Sequence, residues 1–247
     1  STPYDGTDKA EDEEELSPAE ATQYRSNVAR GNFMSQDRSD IQYTVKELSR
    51  GMASPKRCDL TRLKRFARYL IKAQRVKLIF RYLTAEEAEK ITVHSDTDFA
   101  GCRKTRKSTS GGVLMIGSHL IKSWSSTQTV IALSSGEAEY YGMVKAAAQG
   151  IGAKAMLLDF GVDIKEPIDV MSDASAAIGI AQRRGMGKVR HIETNQLWLQ
   201  ERVATGSIKI TKIGTHDNLA DQLTKPVTEE KMKQHLEGTH QKLAQGR

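Results

Sequence analysis

The spacing of apolar residues changes near residue 90. Before that point it is helical: Ile41, Val45 and Leu48 recur at i, i+4 and i+7, which predicts a helix near Asp40 to Arg50 ending at Gly51 and Pro55. A second helix is expected after Asp59, read as its N-cap, with Leu60, Leu63, Ala67, Leu70 and Ile71 on one stripe. Thr84 to Lys90 has no stripe and reads as a linker. From Ile91 the period shortens to two. Ile91 to Asp96 alternates as a half-buried strand that closes on a carboxylate. Val113 to Ile116 and Leu120 to Trp124 are two more strands around Gly117 and Ser118, which suit a hairpin turn. A long helical stretch, Ser134 to Phe160, opens with a capping box at Ser134 and Glu137 and has Gly150 and Gly152 as candidate breaks.

A strand at Ile168 to Ser172, helices at Ala174 to Gln182 and Ile192 to Ala204, a strand at Ser207 to Ile213 and a short helix at Asp217 to Thr224 complete the order. Three strands joined by tight turns, then strands separated by helices, imply an α/β (α+β) fold with a mixed five-stranded sheet flanked by helices. The last 20 or so residues, with Met232, Leu236 and Leu243, are expected as a terminal helix or a frayed tail.

Charge sharpens this picture. The chain carries 37 Lys and Arg against 31 Asp and Glu, a formal +6. Residues 1–20 hold eight acids and one base, so the remaining 227 carry +13. The acidic tip has little to bury and is expected to be disordered. The basic body suits a polyanion, and from Lys56 to Arg81 there are ten bases and one acid. On the second helix the polar face, Arg62, Lys64, Arg65, Arg68 and Lys72, is either a solvated surface or a phosphate-tracking one. Two cysteines, Cys58 and Cys102, cannot make a multi-disulfide scaffold. No run is long and apolar enough to span a membrane, and the N-terminus has no signal-peptide pattern, so an intracellular location is expected. The chain opens on Ser rather than Met, as a piece of something longer would.

Four carboxylates fall at element ends: Asp96 after the first strand, Glu137 or Glu139 in the first turns of the long helix, Asp173 after the fourth strand, and Asp221 in the last short helix. Each alone has a dull explanation as a cap or an exposed acid. Together, hard oxygen ligands on a basic body suit Mg²⁺ or Mn²⁺, and a pair of such ions can drive phosphodiester hydrolysis without a Ser, Cys or His nucleophile.

Ten ordered blocks carry a resemblance. They are Tyr24-Arg25-Ser26, Arg38-Ser39-Asp40-Ile41, Leu48-Ser49-Arg50, His94-Ser95-Asp96-Thr97-Asp98-Phe99-Ala100-Gly101 and Arg106-Lys107-Ser108-Thr109-Ser110-Gly111. They continue with Ser123-Trp124-Ser125-Ser126, Ala132-Leu133-Ser134, Glu137-Ala138-Glu139-Tyr140, Arg190-His191-Ile192, and Asn218-Leu219-Ala220-Asp221 with Thr224-Lys225-Pro226. In order and spacing they resemble the C-terminal end of a copia-type LTR retrotransposon Pol polyprotein.

Charge and residue pattern set apart a disordered acidic tail over 1–20 and a C-terminal helix or tail over 226–247; between them the resemblance implies a helical reverse-transcriptase thumb or connection remnant over 21–84 and an RNase H-like domain over 90–225. It implies an endoribonuclease acting on the RNA strand of RNA–DNA hybrids, with two Mg²⁺ ions (or Mn²⁺) held by Asp96, Glu139, Asp173 and Asp221. It also implies an upstream reverse transcriptase portion as partner and a cytoplasmic (virus-like particle) or nuclear setting. Asp98 is expected past the strand end, and Glu137, about 200° around the helix from Glu139, is better used in capping. Candidate phosphate clamps are Arg103, Lys104, Arg106 and Lys107 after the first strand, and Arg183, Arg184, Lys188 and Arg190 after Asp173.

The family commonly has an acid at Cys102 and an apolar or aromatic residue at Gly112; both departures read as packing changes. Some cellular RNases H use a loop His before the last acid; His216 precedes Asp221 by five residues, a different spacing. His94 and His191 read as structural, and Trp124 and Trp198 as buried anchors. With no Tyr-x-Asp-Asp or adjacent aspartate pair, the chain has no polymerase centre of its own. Two rival readings stay open: a non-catalytic nucleic-acid-binding or domesticated fragment, and a DNA nuclease or integrase-like enzyme on the same fold.

Overall fold

A computed structural model of the chain describes residues 2–4, 6, 13–102, 104–185, 187 and 197–244. In chain order these form α1 (Pro18–Met34), α2 (Ser39–Arg50), α3 (Arg57–Lys72), β1 (Arg75–Leu78), α4 (Ala85–Ala88), β2 (Ile91–Asp98), β3 (Thr109–Ile116) and β4 (His119–Thr127). There follow α5 (Ser135–Asp159), β5 (Ile168–Ser172), α6 (Ser175–Gln182), α7 (Trp198–Ala204), β6 (Ile208–Lys212), α8 (Glu229–Gly238) and β7 (Gln241–Ala244). They fall into two compact units, one of residues 1–79 with 225–247 and the other of residues 80–224. Among the described residues no helix is long and apolar enough to cross a membrane.

The first unit is helical, closed by the antiparallel pair β1–β7. Ile41, Val45 and Leu48 are buried, as their spacing predicts. On α3 the buried stripe is rotated from the expected one. Leu63, Phe66 and Tyr69 face inward, whereas Ala67 and Ile71 are exposed. Two aromatic rings bury more apolar surface than Ala and Ile at the neighbouring positions, and they decide which face turns in. Asp59 is not the N-cap of α3 but lies in its first turn, where Oδ2 accepts from the Lys56 N–H at 3.1 Å. Of the basic face, Arg62 pairs with Asp59 at 2.8 Å, while Lys64, Arg68 and Lys72 are exposed. Two buried hydroxyls pin the core: Tyr24 donates to the Leu48 carbonyl at 2.7 Å and Tyr69 to Asp40 Oδ2 at 2.6 Å. Burial holds both phenols well above the ordinary tyrosine range.

Helix α1 falls outside the expected elements because its inward positions, Ala21, Tyr24, Val28 and Gly31, include only one aliphatic larger than Ala. Much of the acidic tip, residues 7–12 included, lies outside the described residues; nearer the helix, Leu16 is buried. Residues 226–247 supply α8 and β7 to this unit.

The second unit is built on the five-stranded sheet β4-β3-β2-β5-β6. Pairs β2–β3 and β3–β4 are antiparallel, whereas β2–β5 and β5–β6 are parallel. The mixed α/β sheet therefore matches the expected fold class. Between β3 and β4, Gly117 takes φ +56°, which the tight turn requires of it. The segment expected as a linker contains α4, stabilised by a capping box between Thr84 and Glu87. Ile91, Val93, Leu114, Val170 and Ile208 of the sheet pack with Tyr140, Met143 and Ala147 of α5 in one core. Trp124 is buried in that core and Trp198 packs against it.

Helix α5 is continuous. Gly150 is a contact rather than a break: a Cβ there would stand 2.7 Å from Ile168 Cγ2 and 3.2 Å from Val93 Cγ2, so its absence lets helix and sheet meet. Only residues 197–204 of the expected 192–204 helix are described, and they form a turn and α7. The expected helix at Asp217–Thr224 is instead two 3-10 turns, Thr215–Asp217 and Asp221–Leu223. Gly150→Val should lower stability by about 2 kcal/mol, because β-branched methyls in a close-packed contact have nowhere to move. Urea denaturation monitored by circular dichroism measures this, and an unchanged midpoint would contradict the packing role.

Candidate active site

Strand alternation sorts the candidate acids. In β2, Ser95 and Thr97 face α5, since a Cβ on Gly142 of that helix would lie 2.6 Å from Thr97 Oγ1 and 3.1 Å from Ser95 Oγ. Asp96, between them, points to the other face. Directly across the β2–β3 ladder stands Gly111. A Cβ on Gly111 would meet Leu223 Cβ and Thr224 Cγ2 at 2.8 Å and the Ala220 carbonyl at 3.0 Å. The missing side chain is therefore what seats the Asp221 turn against the sheet beside Asp96. Thr224, at the end of that turn, donates its hydroxyl to Asp96 Oδ2 and approaches the Asp221 carbonyl at 3.0 Å.

Asn218 ties in the third acid. The parallel β2–β5 ladder ends at His94 and Met171, so Ser95 lies one residue past it. The Asn218 amide donates to the Ser95 carbonyl at 2.9 Å and reaches Asp173 Oδ1 at 3.5 Å. Its Oδ1 accepts from the Ala220 N–H at 3.1 Å and shapes the approach to Asp221. Asp173 sits just beyond the end of β5 and is half-buried, whereas Asp96 and Asp221 are 6% and 1% exposed.

The structure thus links Asp96, Asp173 and Asp221 through Asn218 and Thr224. Glu139 is carried by α5 on the opposite face, three residues or about one turn before Gly142. The oxygen-only donor set suits a hard divalent cation. Among the described residues, however, no group of three or more His, Cys, Asp or Glu is placed to hold a metal ion.

The neighbouring acids have other tasks. Glu137 caps α5: its N–H donates to Ser134 Oγ at 3.2 Å, and its carboxylate accepts from the Leu133 N–H at 3.0 Å and the Tyr141 hydroxyl at 2.8 Å. Asp98 is the last residue of β2, not past it, because the strand runs two residues beyond the expected end. Its carboxylate occupies the space a side chain at Gly101 would take. The Trp124 ring likewise fills the space over Gly112, its ladder partner, which confirms that departure as a packing change.

Of the clamp candidates, Lys104 and Arg106 are exposed on the loop after β2, with Arg106 at φ +58°, and Lys107 is half-buried. Arg183 is half-buried and Arg184 exposed after α6. Arg103, Lys188 and Arg190 lie outside the described residues, as does His191. His216 is exposed on the first 3-10 turn and His94 is buried on β2. Reasoning from residue types singled out the acids and passed over Asn218, Thr224 and Gly111, although all three stand in the quoted blocks. Neutral side chains and a glycine carry no chemical flag, and only the register of β2 against β3 gives them a task.

Among curated proteins, the chain is 30% identical over 209 residues to a Retrovirus-related Pol polyprotein from transposon RE1 of Arabidopsis thaliana, covering 84% of this chain and 14% of that protein. It is 31% identical over 177 residues to the Pol polyprotein from transposon TNT 1-94 of Nicotiana tabacum, covering 67% of this chain and 13% of the other. The chain belongs to the retrovirus-related transposon Pol polyproteins. It spans about one seventh of the length of these Pol relatives. No protein-family model matches it. Among solved structures it is similar to LC11-RNase H1 isolated from compost, at TM-score 0.38 and 18% identity over 60% of this chain and 99% of the other. Within the Pol segment, the second unit is a mixed five-stranded sheet of order β4-β3-β2-β5-β6 flanked by helices.

Asn218→Ala should destabilise the second unit by about 1–3 kcal/mol, since it leaves the Ser95 carbonyl without that donor in a buried place. Hydrogen exchange should show the Asp221 turn losing protection first; protection equal to the parent's would refute the joint.

Proposed function

We propose that the second unit is an endoribonuclease that hydrolyses the RNA strand of an RNA–DNA hybrid, working inside the cell as part of a transposon Pol polyprotein. The observation that carries this reading is the linkage of Asp96, Asp173 and Asp221, contributed by three separate elements, through Asn218 and Thr224. Glu139, carried by α5 on the other face of the sheet, would join them past the end of the β2–β5 ladder, which stops at His94. These four acids would hold divalent ions, Mg²⁺ or Mn²⁺. When bound, such ions activate a water and stabilise the leaving oxygen of a phosphodiester.

The chain's own residues do the rest. Thr224 and Asn218 orient Asp96 and Asp173, so each carboxylate enters the reaction with its direction already set. Burial of Asp96 and Asp221 keeps bulk water from competing for their oxygens. Lys104, Arg106 and Lys107 on one loop and Arg183 and Arg184 on another, completed by Arg103, Lys188 and Arg190, grip phosphates without reading sequence. The 2′-hydroxyl distinguishes the strand to be cut. The hybrid itself comes from the upstream reverse transcriptase portion of the same polyprotein.

A second reading, a nucleic-acid-binding fragment without catalysis, is favoured by one observation: no three or more of these side-chain types are placed to hold a metal among the described residues. Turnover of a labelled hybrid with Mg²⁺ separates the two. The parent should cut, and Asp173→Asn should reduce cutting by about two orders of magnitude or more while leaving hybrid affinity near the parent's. Salt-dependent binding by the parent with no metal-dependent cutting would establish the fragment reading instead. Equal cutting by parent and variant would remove Asp173 from the site.

A further inference from the structure

Helix α5 meets the sheet closely at two glycines. At Gly150 the contact is apolar, with Ile168 and Val93 in the place of the missing side chain. At Gly142 it is made by oxygens: a Cβ there would stand 2.6 Å from Thr97 Oγ1, 3.1 Å from Ser95 Oγ and 3.7 Å from Ser110 Oγ. Ser95 and Thr97 flank Asp96 on β2, and Ser110 is the ladder partner of Thr97. All three are buried. Among the described residues the Ser95 and Thr97 hydroxyls have no hydrogen-bond partner, so the contact is one of shape and not of bonding. Asp96 points away from α5, and Glu139 must pass the end of the β2–β5 ladder to meet it. A glutamate side chain has a fixed length, so what it can reach depends on how near α5 lies to β2.

We propose that Gly142 is a positioning residue for the acidic site: by letting α5 close on Thr97 and Ser95, it sets the separation of Glu139 from Asp96 and so the span that a divalent ion bridges. The inference rests on the nuclease reading above. Its size follows from geometry. A methyl added at position 142 needs about 0.8 Å more room before its contact with Thr97 is an ordinary one. Thr97 is branched, stiff about χ1 and buried, so the helix gives way rather than the strand side chain. At 1.5 Å of rise per residue, Gly142 lies about 12 Å from the Gly150 contact and Glu139 about 16.5 Å from it. If α5 pivots on that contact, a lift of about 0.8 Å at Gly142 becomes about 1.1 Å at Glu139. Metal ligands keep their distances to within about 0.2 Å, so the displacement is several times what coordination absorbs.

Binding of Mn²⁺ by the full chain without nucleic acid, measured by isothermal titration calorimetry, reads the site without any cutting. Gly142→Ala should weaken the affinity by about tenfold or more, the usual cost of disturbing what orients a metal ligand. Adding Thr97→Ala to Gly142→Ala removes the colliding oxygen and no described hydrogen bond. Because the two residues touch, their effects are not additive, and the double variant should return to within about twofold of the parent. A glycine that serves stability alone would lower the melting temperature of Gly142→Ala and leave its Mn²⁺ affinity at the parent's, and that result overturns the proposal. So does a double variant that binds no better than Gly142→Ala. Should Gly142→Ala not fold, Thr97→Val decides. Its methyl presses on Gly142 by a few tenths of an ångström and should weaken Mn²⁺ binding by about threefold, whereas parental affinity would overturn the proposal. Absence of Mn²⁺ binding by the parent overturns the nuclease reading and the proposal together; equal binding by parent and Gly142→Ala overturns the proposal alone.

Discussion

The side-chain amide of Asn218 is the joint on which the arrangement of acids depends. A strand that outruns its parallel partner exposes backbone groups at the sheet edge, and each needs a donor or acceptor. Asn218 meets that need at Ser95, across 123 positions of chain, and with the same amide reaches Asp173. Its carbonyl oxygen shapes the turn that carries Asp221. Gly111 makes the approach possible by leaving space where any side chain would collide with the Asp221 turn. Buried carboxylates repel one another and resist desolvation, so a fold that gathers them must hold them with neutral contacts of this kind.

The sheet was largely legible in the sequence. The two-residue period of Ile91 to Asp96 and the apolar run Ile168 to Ser172 mark β2 and β5, the central parallel pair, and Gly117 marks the β3–β4 turn. Helix breaks were less legible. A glycine within a helical pattern reads as a weak point, but at Gly150 the sheet behind the helix turns the missing side chain into a packing contact. The last acid was assigned to a helix because its charge drew attention to chemistry and not to backbone, whereas the turn is too short and too tightly seated for α-helical geometry.

The helical unit resisted sequence reading for a different reason. Its inward face on α1 is made of Ala21, Tyr24, Val28 and Gly31, and a helix with so thin a stripe is stabilised by what it packs against. Tyr24 shows how: its ring fills the core while its hydroxyl satisfies the end of α2 at Leu48. The rotation of the α3 stripe toward Phe66 and Tyr69 follows the same logic, since Tyr69 bonds Asp40, which Arg38 also holds. Polar contacts between helices select the face that a period alone leaves ambiguous.

The pairing of β1 with β7 joins residues 75–78 to residues 241–244, with the whole second unit encoded between them. During synthesis on a ribosome, the inner unit is complete while the helical one still lacks its second strand and α8. The sheet of the inner unit can therefore form as an independent body, and the helices at 18–72 must wait, partly uncovered, for the chain to return.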